Sequence, residues 1–296
     1  MKIDTFRGQE KKLLFWQDND NSASVKKYMI KKKVTGIVFS HFLGFQGNAI
    51  TIHEPFEFVD EVNIIDSNIE DISFIYNFPN VKKLNIQNDD RTKVDFSKFE
   101  NLERLFLTWR KGVINLFNHK SLKYLRLDKF KEKVLDIDPD IPLNELWVTQ
   151  SPVKNLSSLG RLKHLRILDL SYLRCLESIA WIKDLNSLEE LRIHSCKSIM
   201  DWEAIGKLSN LKRLCLSNCG ILNDIDFLKP LENLESVLLV GEKMKLVNGN
   251  VRWLYEKPKI NKIRLPWRKD FDISLEEHWA GNNPKHYPHV WKWNLP

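Results

Sequence analysis

The central part of the sequence repeats with a period that few folds can accommodate. Blocks of 23 residues begin at Leu165, Leu188 and Leu211, and each opens with the pattern L-x-x-L-x-[LI]. Within the second block, apolar residues fall three apart, at Cys196, Ile199, Trp202, Ile205 and Leu208. This spacing fits neither a helix of period 3.6 nor a strand of period 2. It fits a coil made of one short strand and a loose 3₁₀-like return, because every third residue of such a return points inward.

The same pattern, with more variation, extends through most of the chain. Strands are predicted to open at Val34, Val59, Val81, Leu102, Leu122, Leu143, Leu165, Leu188, Leu211, Leu234 and Ile260. We therefore predict an α/β solenoid of about eleven rungs over residues 34–265. Residues 1–33 and 266–296 do not repeat, and we interpret them as an N-terminal cap and a Trp/His-rich C-terminal cap or tail, because solenoid ends need cover.

The two ends carry their own signals. Residues 12–17 (KLLFWQ) predict a strand, and Ser22 or Ser24 is a candidate cap for a helix through Lys33. We interpret the lysines at 26, 27, 31, 32 and 33 as the solvated face of that helix. The C-terminal end holds Trp267, Trp279, Trp291, Trp293, His278, His286 and His289. These tryptophans cover the last coil or, alternatively, form an aromatic binding element; the histidine spacing is weak evidence for a metal.

Composition and charge restrict the possible partners and the cellular location of the protein. The net charge of +7 over 296 residues permits an acidic partner without requiring nucleic acid. The N-terminal residues lack the apolar core of a signal peptide, and no run of about 18 apolar residues suggests a membrane helix. We therefore expect a cytoplasmic protein that is monomeric on its own and does not insert into membranes. The cysteines at 196 and 219 repeat with the coils and predict buried structural thiols, not a zinc site with His194 and Cys215.

The strands LKYLRL, LRILDL, LEELRI and LKRLCL and the returns ESIAWIKDL and NDIDFLKPL resemble those of leucine-rich repeat proteins. The resemblance is to the class of about 22 residues with short 3₁₀ returns, seen in internalins and in a phosphatase-regulating subunit. It implies a right-handed solenoid with a curved parallel sheet on its concave face and short returns on its convex face. It also implies a protein partner on the concave face, no catalytic residue and no cofactor. The asparagine usual in this family is replaced by cysteine or other residues here.

Alternation along each strand places its third, fifth and seventh residues on the outer face. The middle strands are rich there in aromatic and arginine side chains, which are typical of interface hot spots. We predict a partner-binding face comprising Arg104, Phe106, Trp109, Tyr124, Arg126, Trp147, Asp169, Arg192 and His194. The alternative is that exposed strands carry aromatic residues only for their β-propensity.

No catalytic or phosphate-binding motif is present, and a triad of Ser171, His194 and Asp169 would lack a pocket and an oxyanion hole. The sequence favours a non-catalytic protein-binding scaffold, with a bacterial immunity protein that blocks a toxin as one form. A nucleic-acid or anionic-surface binder using the lysine helix and the basic C-terminal region is less favoured, because charges of both signs mix on the strand face. A carbohydrate binder using Phe106, Trp109, Tyr124 and Trp147 as stacking platforms is a third possibility.

Overall fold

The structure is a computed structural model, and it describes residues 1–5, 11–18, 20–65, 68–88 and 91–280. The expectations for Trp291, Trp293, His286 and His289, and for the Trp279 side chain, lie outside the described residues. The chain divides into two compact units. The N-terminal unit contains Met1–Phe130 and Asp140–Leu143, and the C-terminal unit contains Lys131–Pro139 and the chain from Asn144 onward.

The N-terminal unit is built on a sheet of short strands. Its strands are β1 (Lys2–Thr5), β2 (Lys12–Phe15), β3 (Gly36–Phe39), β4 (Glu61–Ile64), β5 (Lys83–Ile86), β6 (Val94–Asp95), β7 (Arg104–Thr108), β8 (Val113–Ile114) and β9 (Tyr124–Asp128). Strand β1 is antiparallel to β2, and β2, β3, β4, β5, β7 and β9 then pair in parallel. The returns contain helix α1 (Ser22–Lys32) and 3₁₀ turns at His41–Leu43, Ser73–Asn77 and Phe96–Lys98. Strands β6 and β8 pair with each other.

The C-terminal unit repeats the same plan more regularly. Its strands are β10 (Glu145–Thr149), β11 (Ile167–Ser171), β12 (Glu190–His194), β13 (Arg213–Ser217), β14 (Ile221–Leu222), β15 (Ser236–Val240), β16 (Lys245–Leu246) and β17 (Lys262–Arg264). Strands β10, β11, β12, β13, β15 and β17 pair in parallel, and β14 pairs with β16. The returns hold 3₁₀ turns at Ser157–Arg161, Ala180–Asp184, Trp202–Lys207 and Asp226–Leu228, followed by helices α2 (Arg252–Tyr255) and α3 (Leu275–Ala280).

The predicted register of the repeat is confirmed. Each of the eleven predicted openings lies two residues before a strand of the main sheets, from Val34 before β3 to Ile260 before β17. The three-residue spacing in the return also corresponds to burial: Ile199, Trp202 and Ile205 are 4%, 8% and 0% exposed. The core therefore runs between strands and returns, and it is built from the residues that the repeat pattern identified.

The strands of the C-terminal unit end in an unusual backbone turn. The residue after each of β10, β11, β12, β13 and β15 has a positive φ, at Gln150, Tyr172, Ser195, Asn218 and Gly241 respectively. In this left-handed conformation, the N–H groups of the first four still donate to the last carbonyl of the next strand, at 2.8–2.9 Å. The parallel ladder thus extends one residue past each strand, although a left-handed backbone is unfavourable for a residue other than glycine.

The N-terminal end contains the strand and the helix that the sequence predicts. Helix α1 buries Val25 and Met29 and exposes most of its lysines. Its cap is Asn21, whose side chain accepts from the N–H of Ser24, so the prediction of a cap at Ser22 or Ser24 is wrong. Asparagine has the same short acceptor and the extended backbone of a cap. The division into caps and solenoid stays a proposal.

Near the C-terminal end, aromatic side chains pack against one another. The Trp267 ring lies 5.0 Å from the ring of His278 and 5.7 Å from that of Phe271, and the Tyr255 hydroxyl lies 2.9 Å from His278 Nδ1. The choice between a cap and an aromatic binding element for this end stays a prediction. Among the described residues, no helix is long and apolar enough to cross a membrane.

Candidate binding face

The sheet of each unit has one face packed on the core and one turned away from it. We call the second face the strand face. In the C-terminal unit its central column contains Trp147, Asp169, Arg192, Cys215, Leu238 and Arg264, which pair in register. Adjacent strands in a sheet lie about 4.8 Å apart, so successive side chains of a column are in contact range.

In the N-terminal unit, two arginines lie over two aromatic rings of the strand face. The guanidinium carbon of Arg104 is 4.1 Å from the Tyr124 ring centroid, and that of Arg126 is 4.6 Å from the Phe106 ring centroid. Arg126 also donates two hydrogen bonds to Asp128, at 3.0 and 3.3 Å. We call these five residues the N-terminal patch. The Arg126 guanidinium is thereby held between the Phe106 ring and the Asp128 carboxylate.

This arrangement corrects the expectation that Phe106 and Tyr124 are exposed. Both point away from the core as predicted, but each is only 8% exposed. Long arginine side chains from neighbouring rungs cover the ring faces, which alternation along one strand does not reveal. Burial also raises the pKa of the Asp128 carboxyl, although Arg126 opposes that shift. The surface that the N-terminal patch presents is therefore mostly guanidinium, with aromatic rings beneath it.

Trp109 lies beside this patch and not within it. Its backbone N–H donates to the Asp128 carbonyl at 2.7 Å, so it continues past the end of β7. Its ring lies 4.6 Å from the Phe130 ring and 5.8 Å from the Phe117 ring. Trp109 thus belongs to an aromatic cluster at the rim, where the sequence placed it, and it remains half-buried.

In the C-terminal unit, the strand face is organised around a buried carboxylate. Glu190 is 3% exposed and accepts from Arg192 and from Arg213, whose Nε lies 2.8 Å from Oε2. The guanidinium carbon of Arg192 is 5.2 Å from the Trp147 ring centroid, and Trp147 Nε1 donates to Glu145 at 2.7 Å. We call these five residues the C-terminal patch. Each large side chain in it has a charged neighbour that fixes its orientation.

Asp169 and His194 lie on the same face but make different contacts. Asp169 is 5% exposed and accepts from the Ser171 hydroxyl at 2.6 Å. His194 Nε2 lies 2.9 Å from the Tyr172 hydroxyl, with the two rings edge to face at 4.8 Å. Burial lowers the pKa of His194, and the nearby Asp169 opposes that shift. A catalytic triad would need Ser171 to donate to His194, but Ser171 donates to Asp169 instead.

Three acidic residues with a role in this face were missed by the sequence prediction of the site. Asp128, Glu145 and Glu190 each lie two positions from an arginine or tryptophan on the same strand. Side chains two residues apart on a strand point the same way, so the strings R-L-D, E-L-W and E-L-R carry the signal. An acidic residue at this spacing identifies an arginine or a tryptophan that is held in place on the surface.

The predicted buried thiols are confirmed. Cys196 Sγ lies 3.4 Å from the Leu170 carbonyl, and Cys219 Sγ lies 3.3 Å from the Ile193 carbonyl. Burial raises the pKa of Cys196 to about 12 and that of Cys219 to about 11. Cys215 faces the strand side, with its pKa raised to about 11 by burial. Within the described ranges, no three His, Cys, Asp or Glu side chains are grouped to bind a metal ion.

Comparison with solved structures identifies the fold. The functional domain of InlJ from Listeria monocytogenes, which includes a cysteine ladder, aligns with a TM-score of 0.50 and 13% identity over 82% of this chain and 64% of that one. The TLR13–ssRNA13 complex aligns with a TM-score of 0.51 and 16% identity over 85% of this chain and 44% of that one. An internalin, InlF of Listeria monocytogenes, aligns with a TM-score of 0.45 and 17% identity over 82% and 89%.

No family model matches the sequence, and no curated protein matches it. The fold is nevertheless that of a leucine-rich repeat protein, as the strand and return motifs predicted, and internalins are among the structures it resembles. A fold of this kind hosts many functions, so the function has to be argued from the strand face itself.

Proposed function

We propose that this protein is a non-catalytic interaction module that binds a partner protein through its strand face. The observation that carries the proposal is the pairing of arginine with an aromatic ring and a carboxylate. It occurs at Phe106–Arg126–Asp128 in one unit and at Trp147–Arg192–Glu190 in the other. The nine predicted site residues keep their proposed role, and Asp128, Glu145 and Glu190 join them as residues that position the arginines and Trp147.

The physical argument rests on preorganisation. Tryptophan, tyrosine and arginine dominate binding energy at protein interfaces, and fixing them before binding reduces the entropy lost on association. An arginine over a ring gains about 0.5–1 kcal/mol at an exposed site. None of these side chains contributes to the core between strands and returns. Their ordered arrangement is therefore better explained by a binding surface than by folding alone.

The mixture of charges favours a protein over a nucleic acid. The C-terminal patch combines Glu145 and Glu190 with Arg192 and Arg213, and Asp169 lies among them. A phosphate backbone is attracted to uniformly basic surfaces and repelled by such carboxylates. In the N-terminal helix, Lys26 is already paired with Glu54 and Glu57 and with the Pro55 carbonyl. RNA binding in the TLR13 complex is a property of TLR13 and does not carry over to this chain.

The carbohydrate alternative is weakened by the same contacts. Sugars stack on open ring faces, but guanidinium groups cover Phe106 and Tyr124, and Trp109 packs against Phe117 and Phe130. Trp147 retains partial exposure on the strand face, but the guanidinium carbon of Arg192 lies 5.2 Å from its ring centroid. The proposal includes an immunity protein that blocks a toxin and a regulatory scaffold, because both functions require a binding face and no catalytic group.

The proposal is tested by partner capture with matched variants. Trp147→Ala combined with Arg192→Ala removes the centre of the C-terminal patch. Trp181→Ala combined with Lys183→Ala removes a tryptophan and one positive charge from the return Ala180–Asp184. We expect a protein captured by the wild type and by the return variant to be lost with the patch variant, while circular dichroism shows that both variants are folded at the assay temperature. Equal capture by both variants would refute binding through this patch.

A further inference from the structure

The first strand of the N-terminal unit has an edge that no described strand covers. Strand β1 is antiparallel to β2 and stands at the end of the sheet order, so none of the strands that the structure describes pairs with its outer edge. Lys2, Asp4 and Thr5 are exposed, and Ile3 is half-buried. An open edge presents backbone N–H and C=O groups with which another strand can pair. The outer edge of β1 is therefore a candidate contact surface.

The pairing with β2 shows which way the side chains of β1 point. Asp4 lies opposite Leu13, and residues directly opposite each other in an antiparallel pair point to the same face. The Leu13 side chain lies over Gly36, a strand-face position of β3, because a Cβ on Gly36 would lie 2.3 Å from Leu13 Cδ2. Asp4 and Lys2, two residues apart, therefore point to the strand face, and Ile3 points to the other face.

The charges of Lys2 and Asp4 are not used in ion pairs within the described part of the chain. Asp4 Oδ1 accepts a hydrogen bond from the N–H of Thr5 at 2.8 Å, and Lys2 Nζ lies 5.7 Å from the Phe15 ring centroid. Neither contact neutralises the charged group, and both residues are exposed. One charge of each sign is therefore available to a partner at this edge.

These two charges make the edge complementary to a second copy of itself. Two identical strands that pair antiparallel about Ile3 place Lys2 of each copy opposite Asp4 of the other, so two ion pairs form on one face. Pairing about Lys2 or about Asp4 would instead place two like charges opposite each other. Of these registers, the one centred on Ile3 brings opposite charges together.

The last strand of the C-terminal unit lacks this property. Strand β17 carries two cations two residues apart, so the same pairing about Ile263 would place Lys262 opposite Arg264 of the second copy. Like charges directly opposite each other are destabilising, and charged edge strands commonly prevent pairing between sheets. Strand β17 fits that protective pattern, whereas the charges of β1 attract its own copy.

We propose that two copies of this chain associate through β1, in an antiparallel pair centred on Ile3 and held by two ion pairs between Lys2 and Asp4. The inference goes beyond the proposed function, and it replaces the monomer expected from the sequence with a weak dimer. Because opposed side chains point the same way, the strand faces of the two N-terminal units lie on one side of the joined sheet. A partner with two sites would then bind both copies more tightly than one.

Sedimentation velocity of the full chain at low ionic strength measures this association, because exposed charges are least screened there. A pairing this short buries less than a standard interface, so we expect the wild type to dimerise with a dissociation constant on the order of 100 µM. Lys2→Glu leaves two acidic residues on the edge, and Asp4→Lys leaves two basic ones. Each variant alone should dimerise at least about 10-fold more weakly. Mixed together, the two variants should form a heterodimer, because their edges are complementary.

Two controls separate charge pairing from other effects. Lys2→Asp combined with Asp4→Lys exchanges the two charges, keeps the edge self-complementary and should dimerise like the wild type. Lys183→Glu and Asp184→Lys make the single charge changes on the return Ala180–Asp184 and should each dimerise like the wild type. Circular dichroism checks that every variant is folded.

Several outcomes would overturn the inference. A wild type that stays monomeric at about five times the expected dissociation constant overturns it. Dimerisation that survives in both single edge variants assigns the contact to another surface. Failure of the exchange variant to dimerise, or of the mixed variants to form a heterodimer, refutes the charge pairing. Growth beyond a dimer would indicate head-to-tail pairing of β1 with β17 and also overturns it. Partner capture through Trp147 and Arg192 is measured separately, so the interaction function stands in each case.

Discussion

Truncation of one inward leucine tests the repeat register quantitatively. Leu191 lies in β12 between Leu168 of β11 and Leu214 of β13, and the three side chains are 0%, 0% and 1% exposed. Each inward leucine is therefore enclosed by the coils before and after it. Leu191→Ala therefore leaves a buried apolar space that water does not fill.

The magnitude follows from the volume removed. The change deletes about three carbon groups, and each buried CH₂ contributes about 0.8 kcal/mol, which accounts for about 2.4 kcal/mol. A cavity adds to this loss because both neighbouring coils hold the walls apart, so the total should reach about 3–4 kcal/mol, within the range of about 2–5 kcal/mol for such changes. Ile167→Ala is the matched control, because Ile167 lies on the strand face and is half-buried. It should cost less than about 1 kcal/mol.

Urea unfolding followed by far-ultraviolet circular dichroism measures both variants. A lowered midpoint at constant slope reports a change in stability, and the linear extrapolation then gives the free energy of unfolding. A loss below about 1 kcal/mol for Leu191→Ala would refute the inward register. A loss for Ile167→Ala as large as that for Leu191→Ala would refute the assignment of the two faces.

Further predictions concern the turns, the buried carboxylate and the thiols. Glu190→Gln should cost about 1–2 kcal/mol in urea unfolding, less than a fully buried ion pair because both arginine partners are partly exposed. Ser195→Gly should stabilise by about 0.5–1 kcal/mol by relieving its left-handed backbone, whereas Gly241→Ala should destabilise, because its φ is +101° and a Cβ would lie 2.3 Å from a side-chain oxygen. Cys196 and Cys219 should resist iodoacetamide at pH 8 until urea unfolds the chain. Since their folded pKa values are raised to about 12 and about 11 above the usual 9.0, their contribution to stability is complete below pH 9 and is lost as the pH rises toward those values.

The fold could be read from the sequence because the inward positions of a coil are dictated by burial alone. Leucine, isoleucine and cysteine at fixed spacing specify both the strand starts and the 3₁₀ returns. The left-handed residues after the strands could not be read in the same way. Gln150, Tyr172 and Ser195 are not residue types that favour a positive φ, so the coil imposes that conformation on them.

The sequence predicted which way the side chains of the candidate site point, but not which neighbouring side chains cover them. The alternation along each strand correctly predicted that Phe106, Tyr124 and Trp147 point away from the core. It could not show that arginines from adjacent rungs lie over these rings, because that depends on side-chain reach across the sheet.

The most direct test of binding through the strand face is hydroxyl-radical footprinting of the protein alone and in complex with its captured partner. The account predicts that oxidation of the half-buried Trp147 on the strand face falls on binding. Oxidation of Trp181 and Met200 on the returns should stay the same. Protection of Trp181 and Met200 with Trp147 unchanged would contradict it and would move the binding surface to the returns.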